Sequence, residues 1–143
     1  MKFRSDFGFS LLELMAALGI SAVVASISLP QFETILGQMK ASQDVRRLSS
    51  VMSEQRIEAI RLKTNVRFTF DATGYHWDIG DNGSIDGSQT LLKNSKWKDD
   101  APADIVFNGL GVARGIGTEA TIGIVNKKQA LTFTINSNGY MSL

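Results

Sequence analysis

The sequence predicts an α+β protein: a long N-terminal helix, membrane-spanning in its first half and amphipathic in its second, packed on a β-rich C-terminal domain of short antiparallel strands. Three observations predict it. Phe9 to Leu29 is an apolar run whose only charged residue is Glu13. Helical spacing of apolar residues continues beyond Pro30. After Lys63 the period switches from helical to alternating.

Bulk properties restrict the range of functions without choosing among them. The 143 residues suffice for one domain with a modest core. There is no cysteine, which excludes disulfides and thiolate metal sites, and the single histidine, His76, excludes multi-histidine centres. Net charge is +1, so overall electrostatics points to no partner.

Residues 1–8, MKFRSDFG, form a short polar leader with positive charge from Lys2 and Arg4. Positive flanks stay cytoplasmic, so the chain is expected to insert with its C-terminal domain outside the cytoplasm. Residues 9–30 form the first helical segment. The 21 residues from Phe9 to Leu29, at ~1.5 Å each, span about the 30 Å of a bilayer core. A general secretory signal places its cleavage site after the apolar stretch. Here the candidate cleavage residue, Gly8, precedes it, so cutting there retains the helix.

Gly8-Phe9-Ser10-Leu11-Leu12-Glu13-Leu14 resembles the processing motif of type IV prepilins and type II secretion pseudopilins. The resemblance implies cleavage after Gly8 by a prepilin peptidase, N-methylation of Phe9, and a subunit-assembly role for Glu13. It also implies an inner-membrane assembly platform and other pilin or pseudopilin subunits as partners. The location implied is the bacterial inner membrane as a single-pass protein with a periplasmic domain, followed by a pilus or pseudopilus. Pro30 falls where many such helices carry a helix-loosening proline.

Glu13 makes physical sense only in an assembly. A carboxylate on a lipid-facing helix is costly and is functional by default. Between Phe9 and Leu29 the only available cation is the new α-amino group of a cleaved chain. Pairing within one helix is geometrically poor, so the amine of a neighbouring subunit is the expected partner, setting the axial register of a helical stack.

Pro30 lacks an N–H and is expected to kink or loosen the helix near Ser26–Pro30, with Gly37 as a second weak point. Residues 31–64 continue the helix into the globular domain. Phe32, Ile35, Leu36 and Met39, then Val45, Leu48, Met52 and Ala59, predict a stripe packed against a sheet. Residues 65–143 are read as the β-rich domain. Val66–Phe70 and Tyr75–Ile79 are the first two strands. Thr90–Leu92, Ile105–Phe107, Ala120–Val125 and Ala130–Ile135 follow, and Tyr140–Leu143 is a last short strand. Asp81–Ser88, Asn126-Lys127-Lys128 and Asn136-Ser137-Asn138-Gly139 supply loops and turns. Gly109–Gly117 has no following helix to make it a nucleotide-binding loop, so it reads as a mobile connection. Trp97 is either a half-buried anchor or a contact for a neighbour. The helix stripe, SEQRIEAIR and the late Asn-Gly-Tyr turn resemble the branch holding FimT-type minor pilins and type II secretion pseudopilin H.

Particular residues suggest three further functions. Asp78, Asp81 and Asp86, with Asn82 and Gly83, form a weak calcium candidate, although no glutamate closes the loop and Asp-Asn-Gly is ordinary turn chemistry. A DNA-binding minor pilin for natural competence is the second alternative, with Arg114, Lys127 and Lys128 as contacts. Lys40 to Arg67 holds seven basic and three acidic residues, and Asp71 to Asp104 three basic and seven acidic. That asymmetry suits either phosphate steering or docking between oppositely charged subunit faces. A signal-anchored periplasmic binding domain is the third. No enzyme activity and no cofactor is expected, since His76 has no sequence-visible partner for catalysis.

Overall fold

The computed structural model describes residues 10–127 and 129–143, without the side chains of residues 28–30. Gly8, Phe9 and Lys128 therefore lie outside the described residues. One helix, α1 (Leu11–Leu62), precedes nine strands: β1 (Val66–Phe70), β2 (Gly74–Ile79), β3 (Gly87–Thr90), β4 (Ser95–Trp97), β5 (Ile105–Phe107), β6 (Ala113–Arg114), β7 (Glu119–Asn126), β8 (Gln129–Asn136) and β9 (Met141–Ser142). The chain divides into two compact units, Met1–Ile35 and Leu36–Leu143.

In the second unit the strands form two antiparallel sheets. One has the order β3-β2-β1-β5-β6 and the other β4-β7-β8-β9. Register follows the alternation expected of half-buried strands: Phe68 lies opposite Trp77 and Ile105, while Ile122 lies opposite Phe133 and Ile124 opposite Leu131. Inward residues of both sheets join Val45, Leu48, Met52 and Ala59 of α1 in one core. The rings of Phe68 and Phe107 meet edge to face at 6.0 Å within it. The buried helical positions Gly37, Ala41, Asp44, Val45, Leu48, Met52, Gln55 and Ala59 follow one another at intervals of three and four, apart from the adjacent pair at 44 and 45.

The predicted stripe is thus only half of the packed face. Val45, Leu48, Met52 and Ala59 are buried, but Phe32, Ile35, Leu36 and Met39 are exposed. The reason is phase. At about 100° per residue, Leu36 and Met39 lie roughly 180° and 240° around the helix from Val45. They keep helical spacing on a different side.

Helix assignment runs unbroken through Pro30, so the proline does not end α1. Gly37 is a contact site rather than a weak point. A Cβ there would lie 3.1 Å from the Asn126 carbonyl oxygen, so the absence of a side chain lets the β7–β8 turn approach the helix. The helix stops in a paired-hydrogen-bond cap. Thr64 N–H donates to the Ala59 carbonyl at 3.1 Å and Lys63 N–H to the Ile60 carbonyl at 3.3 Å. Lys63 takes the left-handed conformation, φ 54°, that such a cap requires.

Three strand assignments differ from the sequence reading. The third strand is Gly87–Thr90, not Thr90–Leu92. Its residues are polar and it is held by pairing with the edge of β2 rather than by burial. Ser95–Trp97 is an additional strand, and Trp97 is a core residue: it is buried, its indole N–H donates to the Asp71 carbonyl at 2.6 Å, and its ring meets Phe70 edge to face. The glycine-rich segment is not a bare connection either. It contains β6, which pairs with β5, and Asn108 Oδ1 accepts hydrogen bonds from Leu110 N–H and Val112 N–H.

Candidate assembly interface

Within the first unit, α1 has the length and apolar content needed to cross a membrane, and its apolar window is not buried by the rest of the chain. Leu11, Leu12, Leu14, Met15, Leu18, Ile20, Val23, Val24 and Ile27 are all exposed. Small polar residues on this stretch satisfy themselves locally. Ser21 Oγ donates to the Ala17 carbonyl at 2.8 Å and Ser26 Oγ to the Val23 carbonyl at 2.7 Å. Their hydroxyls therefore need no water, as an apolar environment demands. Glu13 sits in the first turn of the helix, where a carboxylate complements the helix dipole.

Exposed large apolar side chains continue beyond this stretch: Phe32 and Ile35 in the first unit, and Leu36 and Met39 at the start of the second, are exposed.

Five charged residues of the second unit are engaged in ion pairs among the described residues. Arg61 pairs with Glu58. Arg67 holds Asp81 at 2.6 Å and Asp104 at 3.3 Å. The Arg67 guanidinium keeps the Asp81 carboxyl below the ordinary carboxylate range, chiefly by hydrogen bonding. Asp71 is likewise held low, first by the backbone N–H of Thr73. A lowered folded-state value means stability that is present above the unfolded carboxylate range and lost as pH falls through the folded value. Unfolding titrations should accordingly show stability falling below pH 3.8, the ordinary value for Asp81. Arg67→Leu should remove part of that acid sensitivity, and an unchanged pH profile in the variant would exclude this pair as its source.

The three carboxylates of the calcium candidate are used separately. Asp78 Oδ2 accepts from Gly83 N–H at 2.6 Å, Asp86 Oδ2 from Ile79 N–H at 2.6 Å, and Asp81 faces Arg67. Among the described residues no group of three or more potential ligands converges on a metal position. The DNA candidates are also dispersed. Arg114 is exposed on β6 of the larger sheet, whereas Lys127, φ 56°, is in the β7–β8 turn of the smaller one.

Sequence reasoning missed the role of Arg56. Its Nε donates to the Gly111 carbonyl at 2.8 Å and its Nη2 to the Asn138 carbonyl at 3.0 Å. Its guanidinium also lies 5.0 Å from the centroid of the Tyr140 ring. One helical side chain thereby joins the glycine-rich segment to the turn before β9. No local pattern announces it, because both acceptors are backbone carbonyls far along the chain. Of the seven basic residues between Lys40 and Arg67, Arg56, Arg61 and Arg67 are committed within the domain.

Residues 3–29 match the prokaryotic N-terminal methylation motif. No curated protein matches by sequence. The fold is similar to crystal structures of the Pseudomonas aeruginosa PAO1 type IV minor pilin FimU in two crystal forms. The P21 form has TM-score 0.60 at 14% identity, over 72% of this chain and 87% of that one. The P65 form has TM-score 0.55 at 16% identity, over 71% and 90%. The fold is type IV pilin-like, and the methylation motif lies at the N-terminal end expected for that fold.

Proposed function

We infer that this chain, which joins an N-terminal methylation motif to a type IV pilin-like fold, is a structural subunit of a pilus or type II secretion pseudopilus. The observation that carries the reading is the apolar helix left exposed from Leu11 to Ile27, with Phe32, Ile35, Leu36 and Met39 also exposed beyond it. Prepilin peptidase cuts after Gly8 and methylates Phe9, leaving the helix on the mature subunit in the inner membrane with the β-rich domain in the periplasm. The assembly platform then moves the subunit into a bundle of like helices, where neighbouring helices cover Phe32, Ile35, Leu36 and Met39. Pro30, by withholding one helical N–H, weakens the helix at the point where it leaves the membrane.

Glu13 supplies the register in this scheme. Unpaired in lipid it is unfavourable, and it is relieved by the α-amino group of an adjacent Phe9. Glu13→Lys should leave cleavage largely intact while reducing incorporation into filaments by at least about tenfold, the effect of losing ~1.4 kcal/mol of pairing. Immunoblots of sheared filaments against membrane fractions measure the ratio. Wild-type incorporation of Glu13→Lys would defeat the pairing.

A minor position in the filament fits better than a DNA-binding role. Removal of residues 1–8 discards Lys2, Arg4 and Asp6, taking 15 basic and 14 acidic residues to 13 of each. With Arg61 ion-paired to Glu58, and Arg67 to Asp81 and Asp104, the Lys40–Arg67 region offers less charge to phosphates than its count of basic residues suggests.

A further inference from the structure

Three Asn-Gly pairs occur in the chain: Asn82-Gly83, Asn108-Gly109 and Asn138-Gly139. An asparagine followed by glycine can cyclise. The glycine nitrogen attacks the side-chain amide carbon, and the lack of a Cβ on the glycine leaves that approach open. The reaction needs a base to take the amide proton and a donor to stabilise the developing oxyanion. The three sites are provided with these groups very differently.

At Asn82 both are in place. Gly83 N–H, which must lose its proton, donates to Asp78 Oδ2 at 2.6 Å. Asn82 Oδ1, which becomes the oxyanion, accepts from Ser84 N–H at 2.9 Å. Asp78 is buried and its Oδ1 has no hydrogen-bond partner among the described residues, so Gly83 N–H is the one group seen engaging this carboxylate. Asn82 is itself exposed, and a Cβ built on Gly83 meets nothing within 4 Å, so water has access. At Asn138, by contrast, Gly139 N–H donates to the Asn136 carbonyl at 2.8 Å, which is not a base. At Asn108 the side-chain oxygen is held by Leu110 N–H and Val112 N–H at 2.9 and 3.0 Å, and no carboxylate is seen on Gly109 N–H.

We propose that Asn82-Gly83 is a self-modification site at which Asp78 acts as the general base for succinimide formation. Gly83 N bonds to Asn82 Cγ as its proton passes to Asp78 Oδ2. The Cγ–Nδ2 bond then breaks, the Asp78 proton goes to the departing nitrogen, and one ammonia leaves. Water opens the ring to aspartate or isoaspartate. The product places a new carboxylate one residue after Asp81, the partner of Arg67, and, in the isoaspartyl form, lengthens the backbone within the β2–β3 loop.

The test is direct because the three sites fall on separate tryptic peptides, residues 68–93, 99–114 and 129–143. Full-length protein purified in detergent is held at neutral pH, and conversion at each asparagine is followed by mass spectrometry. Asn82 is expected to convert about a hundredfold faster than Asn138, the lower end of what a positioned base supplies. Asp78→Asn should abolish that advantage while leaving the Asn138 rate unchanged. Equal rates at the three sites, or an Asn82 rate indifferent to Asp78→Asn, would overturn the proposal. Should Asp78→Asn fail to fold, wild-type protein in urea decides the matter. Loss of the Asn82 advantage on unfolding supports the proposal, and slower conversion in the native state than in urea overturns it.

Discussion

Gly139→Ala is expected to destabilise the domain by about 3 kcal/mol or more, through two separable costs. The first is conformational: Gly139 has φ +78°, and a residue with a Cβ pays about 1–2 kcal/mol there. The second is steric. A Cβ on Gly139 would lie 2.3 Å from the Gly111 carbonyl oxygen and 2.5 Å from Arg56 Nε. Neither group can withdraw without breaking the hydrogen bond between them, so overpacking adds a further ~1–3 kcal/mol. Gly117 is the control. It has φ +60°, and its Cβ would meet nothing within 4 Å, so Gly117→Ala should show the conformational cost alone. Denaturant midpoints of the two variants separate the contributions. Equal losses would mean that the Arg56 contact with the two loops adds nothing, and Arg56→Ala would then also be mild instead of costing about 2 kcal/mol.

Gly8→Val is expected to have the largest effect on function, leaving an uncleaved precursor in the membrane and none in filaments. The proposed cut separates a leader carrying Lys2 and Arg4 from the apolar helix. An uncut chain keeps those charges at the end of α1, and drawing them into an apolar bundle would cost several kcal/mol for each desolvated ion. The proposed partner of Glu13 would also be missing, because the Phe9 nitrogen would remain a peptide amide. The variant should fold normally, since Gly8 lies far in sequence from every core residue. Cell fractionation with an antibody to the globular domain tests this, and filament entry of intact precursor would contradict it.

Much of the architecture was legible because it rests on periodicity. Val66–Phe70 and Ala130–Ile135 alternate as half-buried strands do, Ile105–Phe107 and Ala120–Val125 are short runs rich in β-branched residues, and each is found within a residue or so of its expected bounds. The sites where the reading went astray are governed by partners rather than by pattern. Gly87–Thr90 has no apolar residue and exists because β2 has an edge to offer. β6 is only two residues long and forms against β5. Leu36 and Met39 have the right spacing and the wrong phase, which a comparison of angles with Val45 reveals but a list of apolar positions does not.

The candidate interface was legible for a different reason. A charge within a long apolar run is so unfavourable alone that it implies a partner, and Glu13 stands out without any structure. What the fold adds is the extent of the surface. Exposure of large apolar side chains continues past Pro30 at Phe32, Ile35, Leu36 and Met39. Arg56 shows the converse case, a residue first grouped with available cations that the fold commits to two carbonyls and a tyrosine ring.

The most direct measurement is the intact mass and N-terminal sequence of the protein extracted from membranes. A mature subunit predicts a chain that begins at Phe9 and carries one methyl group on its α-nitrogen. A chain that retains Met1 and the leader in cells assembling filaments would contradict the proposed function.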